Sequence, residues 1–171
     1  MSDEQTGQQP AQAKGQQPAQ QVELHQVYLK DLSFEAPNSP MIAREQGQPE
    51  VKLQLGNAST MLSEGVYEIV LSLTVTATLG DKTLYLVEVK QAGLFSLKGF
   101  NEQQLEQLQN AYCPNTLFPF ARETVASLIG KGGFPPLLLS PINFEALYVQ
   151  RLQSQQAQAE QAQAEQQKPS S

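Results

Sequence analysis

From Val66 to Leu97 the chain reads VYEIVLSLTVTATLGDKTLYLVEVKQAGLFSL, and this alternation restricts the fold more than any other feature. Tyr67, Ile69, Leu71, Leu73, Val75 and Leu79 take every second place, with Glu68, Ser72, Thr74, Thr76 and Thr78 between them. A period of two puts one set of side chains on each face of a strand, so this segment buries one face and leaves the other polar. Gly80-Asp81 interrupts the pattern with turn residues, after which it resumes, which predicts a β-hairpin.

Two further strands precede it. Residues 22 to 35 carry Val22, Leu24, Tyr28, Leu32 and Phe34 on one parity and Val27 and Leu29 on the other, and PEVKLQL alternates Val51, Leu53 and Leu55 with Lys52 and Gln54. Between them lie the 13 residues from Pro37 to Pro49, with three prolines. Proline donates no ladder hydrogen bond, so this is a loop, long for a hairpin and suited to a crossing connection that carries Met41 and Ile42. After Gly99 the period lengthens. Asn101 is a cap candidate ahead of Leu105 and Leu108. Asn115 is a second, opening a main helix with Pro119 near its start and Phe118, Val125, Leu128 and Ile129 at helical spacing before a glycine stop. A proline-rich connection leads to a last helix with Phe144, Leu147, Tyr148 and Leu152 on one side. Four antiparallel strands followed by two helices make an α+β domain. The expected boundaries are a disordered Gln-rich arm at 1–21, a domain at 22–152, and a Gln/Ala-rich tail at 153–171, helical and then frayed toward Lys168 and Pro169.

About 130 residues are enough for one hydrophobic core. A net charge of -6 with only eleven Lys and Arg argues against nucleic acid, because phosphate binding needs clustered cations. One cysteine, Cys113, cannot form an intramolecular disulfide, and the N-terminus lacks the basic and apolar regions of a signal peptide. No apolar run approaches the roughly 20 residues that span a bilayer. These features are read as a soluble, cytoplasmic protein with no direct membrane insertion.

Candidates for catalysis are few. His25 is the only histidine, with no second to share a metal, and a structural or surface role is the simpler reading. Cys113 would need a histidine base from far away in sequence, so a buried thiol is preferred to a nucleophile. IGKGG lacks phosphate-loop spacing and follows a helix instead of preceding one, which makes it a glycine C-cap. No cofactor, metal or enzymatic activity is expected. In KDLSFEAPN, Asp31 and Glu35 fall on one strand face but about 13 Å apart, beyond the roughly 5 to 9.5 Å of paired catalytic carboxylates. They are either solvated strand charges or a docking surface. Both parities of the first and fourth strands are apolar, so a second set of side chains needs cover, either from another copy of the chain or from an apolar ligand.

KDLSFEAPN, PEVKL, VYEIVLSLTVTATLG, AYCPNTLFPFARE and FPPLLLSPINFEAL, in this order between Val22 and Leu152, resemble the SecB family of bacterial export chaperones. The resemblance implies a homotetramer, a dimer of dimers with sheets outside and helices between. It also implies a function: ATP-independent binding of unfolded precursor proteins, kept translocation-competent and delivered to SecA. By that resemblance Asp31, Glu35, Leu86 and Glu88 receive the basic, zinc-bearing C-terminal tail of SecA, the zinc belonging to the partner. Met41, Ile42, Val51, Leu53, Phe144 and Tyr148 are candidates for a client groove, with core packing the competing role for each, and Val87 and Val89 lie at or near a subunit contact. The rival reading is a small-ligand binding protein or enzyme that uses an apolar cleft with His25 or Cys113.

Overall fold

The structure, a computed structural model, describes residues 19–44 and 47–166. Its strands are β1 (Gln21–Glu35), β2 (Glu50–Ser63), β3 (Val66–Leu79) and β4 (Lys82–Lys98), in one antiparallel sheet of order β1-β4-β3-β2. The predicted hairpin is β3-β4, turning at Gly80 with φ 58°. Because β1 and β2 occupy opposite edges, the connection between them crosses one end of the sheet, as its prolines require. It docks there through the Asn38 side-chain amide, which donates to the Thr83 carbonyl at 2.9 Å.

The helices follow as α1 (Glu102–Gln107), a π turn (Leu108–Tyr112), α2 (Cys113–Lys131) and α3 (Phe144–Gln166). Asn101 caps α1 as expected, exchanging hydrogen bonds with Gln104 in a capping box. Asn115 is no cap: Tyr112 and Cys113 are already helical, and the rod runs unbroken from α1 to α2. Pro114 lies within that rod and offers no N–H to it; the carbonyl of Gln109, five residues back in the π register, accepts instead from the Asn57 side-chain amide at 2.9 Å. Helix α3 touches the body through Phe144 and Tyr148, is exposed from Gln153 to Gln161, and extends as helix to Gln166. Most of the expected arm, residues 1–18, and the expected fraying at Lys168 and Pro169 lie outside the described residues.

Helix α2 packs over β4 and β3, the two central strands. Ile69, Leu71, Leu73, Val75, Val87, Val89 and Phe95 from the sheet meet Leu117, Ala121, Val125 and Ile129 from the helix, all at most 1 % exposed. The double apolar parity of β1 has a local cause. His25 and Lys30 are extra residues with no partner on β4, and each bulge reverses the facing of the residues after it. Val22, Leu24, Val27, Leu29, Leu32 and Phe34 therefore stand opposite Leu97, Phe95, Gly93, Gln91, Val89 and Val87, all on the helix side. The expectation that β1 is apolar on both faces is corrected by these two bulges. Buried Gln91 serves one of them, its side-chain amide donating to the Tyr28 carbonyl at 2.8 Å.

Candidate functional site

A central helix on a four-stranded sheet leaves the helix-side faces of both edge strands only partly covered. On β2, Val51, Leu53, Leu55 and Asn57 pair with Ala77, Val75, Leu73 and Leu71 and so share the core-facing side. Yet Val51 is 40 % and Leu53 36 % exposed. Beside them a cavity of about 340 Å³ opens between Pro49, Val51, Tyr85, Phe134, Pro136 and Leu137. Farther along β2 a small cleft runs under α3, between Leu55, Leu71, Phe144, Leu147 and Tyr148. The strand thus forms one wall of an apolar groove, with the connection before α3 and α3 itself as the other.

Of the six groove candidates, Val51 lines the first cavity and Leu53 is the next residue on the same face. Phe144 and Tyr148 line the second cleft but are 6 % and 7 % exposed, a packed floor in which Phe144 meets Phe118 edge-on at 5.7 Å. Ile42 is buried at 3 %, Met41 projects at 67 % exposure, and neither lines these two cavities. The crossing connection nonetheless sits at the groove's open end, since Thr83, which holds it, adjoins the cavity residues Leu84 and Tyr85. Sequence reasoning missed Phe134, Pro135, Pro136 and Leu137. Their signal was an apolar run that proline bars from helix and sheet interiors, and such a run has to lie on other apolar surface.

The outer face of the sheet brings together four residues distant in sequence. Glu35 stands opposite Leu86, Ser33 opposite Glu88 and Asp31 opposite Lys90. Ser33 donates to Glu88 at 3.4 Å and Lys90 lies 3.4 Å from Asp31. Asp31, Glu35, Leu86 and Glu88 thus form one strip across two adjacent strands, with no bulge between Asp31 and Glu35 to break their common facing. Farther along that face, Glu68 accepts from Lys30 and from the Tyr28 hydroxyl. The bond from Lys30, then that from Tyr28, holds the Glu68 carboxyl below the usual range, and Glu68 in turn pushes Tyr28 up to about 12.

Val87 and Val89, expected near a subunit contact, are 0 % and 1 % exposed within the single chain, beneath α2. Any influence they have on assembly passes through the packing of sheet on helix. The structure does not join His25 to Cys113. His25 Nε2 lies 2.7 Å from Ser96 Oγ, while Cys113 is sealed in the core, where burial pushes its thiol up to about 12. Among the described residues no group of three metal-ligating side chains occurs, and no helix is long and apolar enough to cross a membrane.

A family model described as preprotein translocase subunit SecB matches residues 15–155. A protein-export protein SecB from Nitrosococcus oceani is 55 % identical over 155 residues, covering 90 % of this chain and 93 % of that one. One of the same name from Methylococcus capsulatus is 51 % identical over 140 residues, covering 82 % and 90 %. Among solved structures, a Mycobacterium tuberculosis SecB-like chaperone in complex with a peptide from an antitoxin superposes with a TM-score of 0.61 at 17 % identity, over 71 % of this chain and 90 % of that one. At that identity the superposition bears on the fold alone.

Proposed function

The chain belongs to the SecB family and is a protein-export chaperone, and from that premise we propose that it binds unfolded precursors along the β2 groove and passes them to SecA through the outer sheet face. The observation that carries the groove assignment is the exposure of Val51 and Leu53 on the core-facing side of β2, with Val51 lining the cavity walled by Phe134, Pro136 and Leu137. An unfolded chain offers scattered apolar side chains and free backbone. A long shallow wall beside an edge strand suits it better than a closed pocket. Binding of this kind needs no nucleotide and turns over no substrate, so the protein acts as a holdase, working in the cytoplasm. The outer strip is the docking site for the basic, zinc-bearing tail of SecA: Leu86 supplies an apolar contact, and Asp31, Glu35 and Glu88 supply charge that raises the encounter rate.

The working form is a tetramer. Val22, Leu24, Leu29 and Leu32 on the uncovered helix side of β1 are 37–43 % exposed, and Phe120 on α2 is 48 % exposed. These surfaces suit burial against further copies of the chain, and several grooves on one particle let a long client gain affinity through effective concentration. The test is nucleotide-free titration of an unfolded, non-aggregating precursor into wild type and Val51→Asp/Leu53→Asp. Two carboxylates placed against a bound apolar segment are expected to weaken binding at least about tenfold, with the mass of the free particle unchanged near four chains. Unaltered client affinity in the variant would refute the groove, and a monomeric mass would refute the assembly.

A further inference from the structure

The docking strip is not purely acidic. Lys90 stands in register opposite Asp31, its Nζ 3.4 Å from Asp31 Oδ2, with the side chains 52 % and 64 % exposed. Two residues along the same strand and on the same face is Glu88, which accepts from the Ser33 hydroxyl. We propose that Lys90 is a resident counter-ion of the strip, holding Asp31 until a cationic partner displaces it, and that it thereby sets how tightly and how selectively the strip binds. This rests on the reading of the strip as the site for the SecA tail.

The geometry fixes what Lys90 can do. Its backbone belongs to the β1-β4 ladder while its side chain lies in solvent on the outer face, so the charge can be removed without disturbing the sheet. An ion pair this exposed is weak, which means that an incoming cation can open it at little cost. A partner with a cation placed opposite Asp31 replaces the lost interaction and recovers that cost. A partner without one either leaves Lys90 in place or strands Asp31, and gains nothing. Until displaced, Lys90 also repels a basic partner at encounter, and this effect fades once salt screens distances beyond about 8 Å.

The experiment uses the full chain and the zinc-loaded SecA tail peptide, with rate and equilibrium constants measured at low ionic strength and again at roughly 0.5 M salt. Lys90→Gln is expected to tighten binding about two- to fivefold at low salt, chiefly through a faster association rate, with the gain lost at high salt. Lys98→Gln removes the same charge eight residues along β4, roughly 27 Å away at about 3.4 Å per residue, and is expected to leave binding unchanged. In an Asp31→Asn background the gain from Lys90→Gln should shrink. Equal affinities for Lys90→Gln and Lys98→Gln, or weaker binding by Lys90→Gln, would overturn the proposal. If Glu88→Gln still weakens docking in that case, the strip itself stands. If Glu88→Gln and Asp31→Asn both leave docking unaltered, the strip assignment fails first.

Discussion

Gly132, just after α2, approaches the ring of Phe34, the neighbour in β1 of Glu35, and Gly132→Ala tests that approach. The residue has φ −72° and ψ −3°, an ordinary right-handed conformation that alanine adopts without strain. On backbone grounds alone the substitution should stabilise by about 0.4–1 kcal/mol, because alanine loses less conformational freedom on folding. Packing opposes it. A β-carbon there would overlap Cζ of Phe34 and lie 2.7 Å from Cε1 and 2.9 Å from Cε2. The ring has little room to retreat, since Phe34 stacks on Tyr85 at 6.3 Å and Tyr85 packs against Phe134 at 5.1 Å. Overpacking of this kind costs about 1–3 kcal/mol, which at least offsets the backbone gain and leaves a net destabilisation of about 0–2.6 kcal/mol. For a chain of this size that lowers Tm by up to roughly 10 °C, measured at one fixed protein concentration because association also stabilises. In a Phe34→Ala background the clash is gone, and Gly132→Ala should become neutral or stabilising by up to about 1 kcal/mol. Stabilisation of the wild type by as much as of the Phe34→Ala variant would refute the close approach of helix and strand on which the argument rests.

The same packing sets four other outcomes. Glu68 is held below the usual carboxyl range by Lys30 and Tyr28, so its contribution is complete above the unfolded value of about 4.3 and lost as pH falls through the lower folded value; the stability gap between wild type and Glu68→Gln in urea should close in acid, and a gap constant with pH would contradict this. Tyr28, at about 12, should stay protonated by ¹³C NMR where an ordinary phenol ionises near 10, and should move down toward that value in Glu68→Gln. Cys113, with its thiol at about 12 in the core, should react with a thiol reagent at pH 8 only at the rate of unfolding, and stoichiometric labelling of the native protein within the mixing time would contradict its burial. Val89→Asp puts a charge beneath α2 and should cost more than about 4 kcal/mol, losing near-ultraviolet dichroism together with assembly; a folded chain of reduced mass would instead place Val89 at the subunit contact.

The β3-β4 hairpin was legible because one of its faces is fully buried, so each core residue from Ile69 to Ala77 keeps strict alternation. Strand β1 was not, because the bulges at His25 and Lys30 each shift the parity by one, and nothing in the residue types there marks an unpaired position. The same limit concealed Gln91 and Lys90, whose partners on β1 exist only once that register is set. Asn115 reads as a cap by residue type, whereas the π turn at Leu108–Tyr112 carries the helix through that position. In the sequence, the strip of Asp31, Glu35, Leu86 and Glu88 is marked as a set only by the family resemblance. Its four members also turn out to be contiguous on one face. The groove was half legible: Val51 and Leu53 by alternation, the opposing Phe134–Leu137 wall only as a run that had to cover something.

The most direct test of the account is methyl NMR of the full chain, labelled at valine and leucine, on addition of an unfolded precursor without nucleotide. Perturbation is expected at Val51 and Leu53 on the helix side of β2, with Leu86 on the outer face left for the SecA tail. Perturbation of Leu86 by the precursor, with Val51 and Leu53 unmoved, would contradict it.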